Sequence, residues 1–518
     1  MTPIRLMRSF ATVGGWTLFS RLLGFVRDVL MARFLGAGTV ADAFFVAFSL
    51  PNMFRRFFAE GAFNAAFVPM FTKRLASSKT EAEDFARDAF WLMGSFLVLF
   101  SVTAMLAMPL LVWAMAAGFG TGERFDLAVV FGRIAFPYIL FVSLMALISG
   151  MLNATGRFIA AAAAPALLNL AFIAALVLAA RLGWPIGLTL AWAVPVAGAL
   201  QLAAVWWALR RAGFSLRFRR PRLTPELKRL LIIAAPAVLA GGVVQINLIV
   251  GRQVASFTEN AISWLSYADR LYQLPLGVVG IAVGVVLLPE LSRRLREGEA
   301  DRARDAFSRG MEFALALTVP SAVALVVIAQ PIVSVLFERG AFGRVDAVNT
   351  ALALAIYGAG LPAFVLHKVL QPLYFAREDT RSPFRYAVNS MIVNAVIAVG
   401  LMPYLGFLAA ALGTTLAGWT MVWQLWRGAR PMGEAARPDA RFRDRIWRIA
   451  LAALVMGAAL WGLAQLLDPM LYGTGRSLAL LLLILAGIVV YFGIGIAIGA
   501  FRPADLRDAL RRGTPRTE

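Results

Sequence analysis

The chain has no cysteine and a single histidine, His367. That excludes a disulfide framework, a thiolate nucleophile and a cysteine metal site. It equally excludes a histidine-cluster zinc centre or a two-histidine mechanism. Charge is scarce too, at 15% of residues against about 25% in a soluble globular chain. Carboxylates are the rarer sign, 29 against 50 lysines and arginines. No phosphate-cradling loop of the GxxxxGKS or GxxxxGKT type occurs, and no soluble block is large enough for a nucleotide-binding domain. Nucleotide hydrolysis within the chain is therefore not expected to drive its work.

What is present is apolar length. Hydrophobic residues make up 60% of 518, with a mean hydropathy of +0.75. Apolar spans fall near 10–35, 42–72, 89–117, 128–152, 159–180, 184–209, 230–251, 261–289, 310–337, 347–375, 384–404, 406–426, 446–467 and 477–501. Each is long enough for the ~20 residues that cross a bilayer as helix, so the expected fold class is an all-α polytopic membrane protein with fourteen transmembrane helices. Residues 1–35 have the basic start and short apolar run of a signal peptide. Arg21, Arg27 and Asp28 follow at once without a convincing cleavage site, and the segment reads as a retained first helix. With both termini cytoplasmic, the inside loops and tails, with the span ends adjoining them, hold 36 of the 50 lysines and arginines; the outside loops hold six. This is the positive-inside pattern. The net charge of +21 thus records orientation and attraction to anionic lipid, and nucleic acid is not an expected partner.

Two halves of the sequence are related. FVPMFTKRLAS (67–77) resembles LLPELSRRLRE (287–297), pairing Pro69 with Pro289 and Arg74 with Arg294 at an offset of 220. The same offset pairs Asp126 with Asp346, Asn169 with Asn389, Gly198 with Gly418, Trp206 with Trp426 and Arg210 with Arg430. Six helices per half keep the same orientation, which implies parallel repeats about the membrane normal. The expected organisation is an N-terminal lobe at 1–218, a C-terminal lobe at 226–432, a trailing helix pair at 441–502 and a cytoplasmic tail at 503–518. The lobes are expected to surround a central cavity. Basic connectors join the parts and read as lipid-facing cytoplasmic loops.

Charge inside these spans is the informative misfit. Arg21, Arg27, Arg55, Arg56 and Arg270 all lie within apolar stretches. An arginine at the bilayer centre costs roughly 2.5–3.5 kcal/mol on insertion scales, so these groups are expected to face a wet or paired interior. Asp28, Asp42, Glu60 and Asp269 can neutralise some of them, and a basic excess remains. In the second span Pro51 removes one helical amide and disfavours helix at Leu50, so a break is expected there. Asn52, Arg56, Glu60 and Asn64 recur every four residues on one face, where Arg56 and Glu60 can pair. In the first span Arg21 and Asp28 share a face. Arg27 lies about 120° from Arg21 on a straight helix, and the two converge on one ligand only if the helix bends, for which Gly24 offers a place. In the eighth span Ser263, Ser266, Arg270 and Gln273 form a polar stripe. An arginine-rich cavity points to an anionic cargo.

These residues also carry a resemblance. FSRLLGFVRDVLMARFLGAGTVADAFFVAFSLPNMFRRFFAEGAFNAAFVP (19–69), SYADRLYQLPLGVVGIAVGVVLLPELSR (266–293) and KVLQPLYFAREDTRSP (368–383) resemble segments of the MurJ/MviN lipid II flippase family. The likeness covers essentially the whole chain. It implies membership of the multidrug/oligosaccharidyl-lipid/polysaccharide exporter superfamily. It also implies transport, without catalysis, of undecaprenyl-diphosphate-linked peptidoglycan precursor to the periplasmic leaflet of the bacterial inner membrane by alternating access. Family-important charges match Arg21, Arg27, Asp42, Arg55, Arg56 and Arg270, with Asn52 and Glu60 inside the matched motif. The substrate-binding set is then Arg21, Arg27, Arg55, Arg56 and Arg270. Asp28, Asp42, Asn52, Glu60 and Asp269 are expected in gating or charge pairing. The last two helices match a pair that forms a groove for the lipid tail. Lipid II and membrane lipids are the implied partners, with the cell-wall synthesis machinery as the implied protein partner. No cofactor is expected, and a coupling ion is not readable, because the seventh span (Gln245, Asn247) has no carboxylate.

Three other functions compete. A multidrug exporter of the superfamily would present an acidic, aromatic cavity to cations. A flippase for another polyprenyl-diphosphate oligosaccharide shares the same charge logic. A polyprenyl-phosphate transferase would cluster carboxylates for a metal, and here they are scattered. The topology is directly testable, because the native chain has no cysteine. Arg220→Cys and Arg441→Cys should resist a membrane-impermeant thiol reagent applied from the periplasm, and efficient labelling of either would overturn the orientation.

Overall fold

The computed structural model describes residues 3–58 and 62–501. Nearly all of them are helical; among the described residues the only extended pairing is a single bridge between Arg339 and Phe342. In chain order the helices are α1 (Pro3–Phe34), α2 (Thr39–Phe58), α3 (Ala62–Ser77), α4 (Lys79–Leu106), α5 (Met108–Ala116), α6 (Glu123–Ala135), α7 (Tyr138–Ala154), α8 (Ile159–Leu182), α9 (Ile186–Arg211), α10 (Pro225–Ser256), α11 (Ala261–Arg296), α12 (Ala300–Val327), α13 (Ala329–Phe337), α14 (Arg344–Phe375), α15 (Arg381–Leu405), α16 (Leu408–Ala429), α17 (Ala440–Leu466), α18 (Asp468–Leu471) and α19 (Arg476–Ala497). Among the described residues nine helical stretches are long and apolar enough to cross a membrane. The expected spans at 10–35, 230–251, 261–289 and 406–426, and the described residues of 42–72, are almost wholly helical but not among the nine. They include α1 and α2, whose arginines lower their hydropathy.

Local chemistry sets the ends. Thr224 caps α10 by accepting from the Leu227 amide at 3.3 Å, with Pro225 at the first helical position. Asp439 caps α17 through the Phe442 amide at 2.6 Å. Such caps satisfy amides that have no partner inside the helix. Pro51 behaves differently from expectation. α2 runs through it to Phe58, since one missing amide bond does not end a packed helix, and the Asn52 side chain donates to the Phe48 carbonyl at 2.8 Å.

Contacts divide the chain into two units. The first holds the described residues up to Ser263 together with Arg339–Gly343. The second holds Trp264–Glu338 and the described residues from Arg344 onward. The repeat puts the lobe boundary between 218 and 226, whereas by contact α10 sides with the first unit, because it packs on α3 and α5. Within that unit α1 lies on α8, α2 on α6, and α9 on both α7 and α8. The segment Arg339–Gly343 is clasped to the end of α1. The Ala341 amide donates to the Arg33 carbonyl at 2.9 Å, and a Cβ at Gly36 would meet the Ala341 carbonyl oxygen at 2.5 Å. In the second unit α14 packs on α12 and α16, α15 on α16, and α17 joins α12 to α19.

The 220-residue offset reappears in helix boundaries. Shifted by that amount, α4, α5, α8 and α9 end within three residues of the ends of α12, α13, α15 and α16. One close contact recurs as well. A Cβ at Gly198 on α9 would meet the Tyr138 ring of α7 at 2.8 Å, and a Cβ at Gly418 on α16 would meet the Phe364 ring of α14 at 2.7 Å. Overpacking of this kind costs about 1–3 kcal/mol. Gly198→Leu and Gly418→Leu should therefore each lower the unfolding temperature in detergent. Gly400→Leu, where an added Cβ meets nothing within 4 Å, should leave it unchanged.

Candidate anion-binding site

α1 is helical without interruption across Gly24 and places its two arginines in different surroundings. Arg21 is exposed, whereas Arg27 is 8% exposed. Burial of a guanidinium demands partners, and Arg27 has them. Its Nε and Nη2 donate to Asp28 Oδ1 at 2.9 and 2.6 Å, and its Nη1 donates to Asn169 Oδ1 at 2.8 Å. Asn169 reaches from α8 and also donates through Nδ2 to the Ser20 carbonyl of α1 at 2.8 Å. Its side chain thereby fixes the arginine and the helix that carries it. The Arg27 guanidinium lies 5.8 Å from the centre of the Phe172 ring, and Phe172 packs in turn on Phe48 and Phe44. Three of five guanidinium N–H donors are engaged in these bonds among the described residues.

Asp42 is fully buried at the start of α2. Its Oδ1 accepts from the amide and the hydroxyl of Ser263, at 2.8 and 2.6 Å. Ser263 is the third residue of α11, so Asp42 caps that helix from another one, a favourable place for a negative charge. Its Oδ2 faces Arg124 Nη1 at 4.0 Å. Asn260, just before α11, holds a positive φ of 65°, a conformation that Asn tolerates better than most residues.

The remaining expected residues are placed as follows. Arg55 is half-buried and Arg56 exposed near the end of α2. Glu60, and with it the Arg56–Glu60 pairing, lies outside the described residues. Asn52 has its amide on the Phe48 carbonyl. In the second unit Arg270 is exposed on α11, and Asp269 accepts from Gln273 one turn further on. Tyr272 follows, with Tyr357 and Phe364 at ring distances of 5.0 and 5.6 Å. Among the described residues no cluster of three or more His, Asp or Glu is arranged to hold a metal ion.

The segment 368–383 builds a turn. Arg377 donates to the Leu373 and Met432 carbonyls at 2.8 and 3.1 Å, and Asp379 accepts from the Ser382 amide at 2.9 Å. That bond, with the Ser382 hydroxyl, holds the Asp379 carboxyl below its ordinary range. The site residues that sequence reasoning passed over are Asn169 and Arg124. Asn169 had a visible signal, as the lone polar side chain of α8 before Arg181 in its last turn. Arg124 had none, because it reads as an ordinary loop arginine.

A family model described as "Lipid II flippase MurJ" matches residues 31–484. The chain belongs to the MurJ lipid II flippase family. A probable MurJ of Rhizobium tropici is 46% identical over 98% of this chain and 97% of its own length. The MurJ of Burkholderia cenocepacia is 35% identical over 88% of this chain and 90% of its own. A solved MurJ structure, titled as an inward closed conformation, superposes with a TM-score of 0.79 at 26% identity, covering 93% of this chain and 97% of that one. An inward-facing multidrug transporter of the MATE family shares the fold, with a TM-score of 0.69 at 15% identity over 80% of this chain and 95% of that one.

The bridging role of Asn169 in this MurJ family member can be measured. Asn169→Leu removes the acceptor for a buried charged donor, which costs about 1–3 kcal/mol. A lowered unfolding temperature in detergent is expected for Asn169→Leu. Asn169→Asp keeps an acceptor for Arg27 and should fall less; equal losses would mean that the side chain only fills space.

Proposed function

We propose that this chain is a lipid II flippase that moves undecaprenyl-diphosphate-linked peptidoglycan precursor from the cytoplasmic to the periplasmic leaflet of the inner membrane by alternating access. The observation that carries the chemistry is Arg27. Asp28 and Asn169 hold its guanidinium in one orientation and leave two N–H donors of the fork, one on each terminal nitrogen. A planar fork with two adjacent donors suits a phosphate oxygen pair. A lipid diphosphate carries about two negative charges, and each charge-assisted hydrogen bond contributes about 1.5–3 kcal/mol. Arg21 and Arg270 are proposed to bind the same diphosphate, with Arg55 and Arg56 as further substrate contacts. The polyprenyl tail would stay in lipid, along a groove offered by the last two spans.

The finer organisation belongs to the same proposal. Fourteen spans form two six-helix lobes and a trailing pair, with both termini cytoplasmic; the recurrence of helix ends at 220 residues supports the duplication. Asp42 serves the outer gate through pairing that changes between states, as a bistable element requires.

Two measurements test the reading. Depletion of the protein should accumulate the lipid-linked precursor in the cytoplasmic leaflet. In a depleted strain, Arg21→Ala, Arg27→Ala and Arg270→Ala should each fail to complement while still inserting and folding. Arg→Lys should restore growth only in part, because an ammonium lacks the bidentate fork. Normal growth with all three alanine variants would leave the arginines a structural role only.

A further inference from the structure

Residues 212–224 join α9 to α10 with no regular secondary structure, yet they are held along their length against the first unit. Phe214 and Leu216 are buried, at 6% and 3% exposure. The Phe214 ring meets Phe71 at 6.2 Å and the Lys79 ammonium at 5.0 Å. Trp91 of α4 donates its indole N–H to the Arg217 carbonyl at 3.0 Å and packs its ring on Phe218 at 4.9 Å. Arg219 lies 3.2 Å from Asp88 and 3.7 Å from Asp84. So Phe214, Leu216 and Arg219 fasten the segment.

The other side of the strap has a different composition. Arg217, Arg220 and Arg222 are exposed, and among the described residues no carboxylate lies within ion-pair distance of them. Between them Phe218 and Leu223 are 72% and 61% exposed. At the adjoining end of α9 the Arg211 guanidinium covers the Trp207 ring at 3.9 Å, with Trp207 itself 57% exposed. Leu231 and Ile232, just inside α10, are exposed as well. Exposed aromatic and basic side chains alternating at the end of apolar helices are the chemistry of the bilayer interface, where rings sit at headgroup depth and arginines meet phosphates.

We infer that residues 212–224 form a membrane-surface strap that binds anionic phospholipid. Arg217, Arg220 and Arg222 take the headgroup phosphates, and Phe218 and Leu223 enter the acyl boundary. The occupant follows from charge complementarity and from place, since both flanking helices are apolar and end at this strap. Arg219 is excluded from headgroup binding because Asp84 and Asp88 already compensate it. The inference is independent of what the protein transports.

The test uses the full-length protein in a neutral detergent, titrated with phosphatidylglycerol and in parallel with phosphatidylcholine, counting bound lipids by native mass spectrometry. Phosphatidylglycerol should be retained in preference. Each arginine near an anionic surface changes partitioning about fivefold, so Arg217→Gln/Arg220→Gln/Arg222→Gln should lower apparent affinity by on the order of tenfold or more. Arg302→Gln/Arg437→Gln/Arg443→Gln removes the same charge elsewhere and should leave retention near the native level. The inference is wrong if both triple variants lose lipid equally, if the strap variant loses none, or if phosphatidylcholine binds as well. It is also wrong if millimolar inorganic phosphate displaces the lipid, which would make the strap an aqueous anion site. Should the strap triple variant not purify as a monodisperse species, Arg220→Gln and Arg222→Gln are read singly, each expected to lower affinity severalfold.

Discussion

The interaction on which the first unit turns is the burial of a guanidinium on an apolar helix. A lone arginine at that depth is opposed by several kilocalories per mole, and removing one partner of a buried pair is strongly destabilising. Arg27 is tolerated because Asp28 neutralises it from the adjacent position and Asn169 reaches across from α8. These bonds do more than compensate a charge. They join α1 to α8 through the Ser20 carbonyl and hold the remaining donors in one direction. Pre-organisation of this kind lowers the ordering cost of binding, so stability of the unit and readiness for an anion come from the same four groups.

A second charge is handled in the opposite sense. Among the described residues Asp42 has no cation in hydrogen-bond contact; it is satisfied by the amide and hydroxyl of Ser263 at the start of α11, with Arg124 further off. A helix terminus offers partial positive charge and unpaired amides together, and is therefore a substitute for a counter-ion. The chain thus settles one buried arginine with side chains and one buried aspartate with the amide and hydroxyl of a single serine.

Much of the helical layout was legible in the sequence, since hydropathy over about 20 residues reports directly on helices that must satisfy their own backbone. The close approach of Gly198 to an aromatic ring recurs at Gly418, 220 residues on, a position pair that the sequence offered. Other features were not legible. Pro51 looked like a break, but whether a helix survives one lost amide depends on packing that local sequence does not contain. The segment 368–383 carried a resemblance, but nothing in it said that Arg377 and Asp379 close a turn. Arg27 was recognisable as a burial problem, while its solution lay in Asn169, 142 residues away, which the sequence presented only as a repeat position. The side of α10 was equally hidden, because its polar residues, Gln245, Asn247 and Gln253 among them, do not by themselves say which neighbour the helix joins.

The clasp between Arg339–Gly343 and the end of α1 bears on how the chain is made. Contacts assign those five residues to the first unit although the rest of α11, α12 and α13 lie between them and Ser263 in sequence. Synthesis runs from the N-terminus, so most of the first unit leaves the ribosome long before its last piece. Until residue 343 has emerged, Gly36 and the Arg33 carbonyl stand without the backbone that later fills their notch. Neither unit is a contiguous stretch of chain, and the first cannot be completed without translating a large part of the second. Long-range closure of this type comes late in folding, which makes the junction at Gly36 a natural last step in maturation.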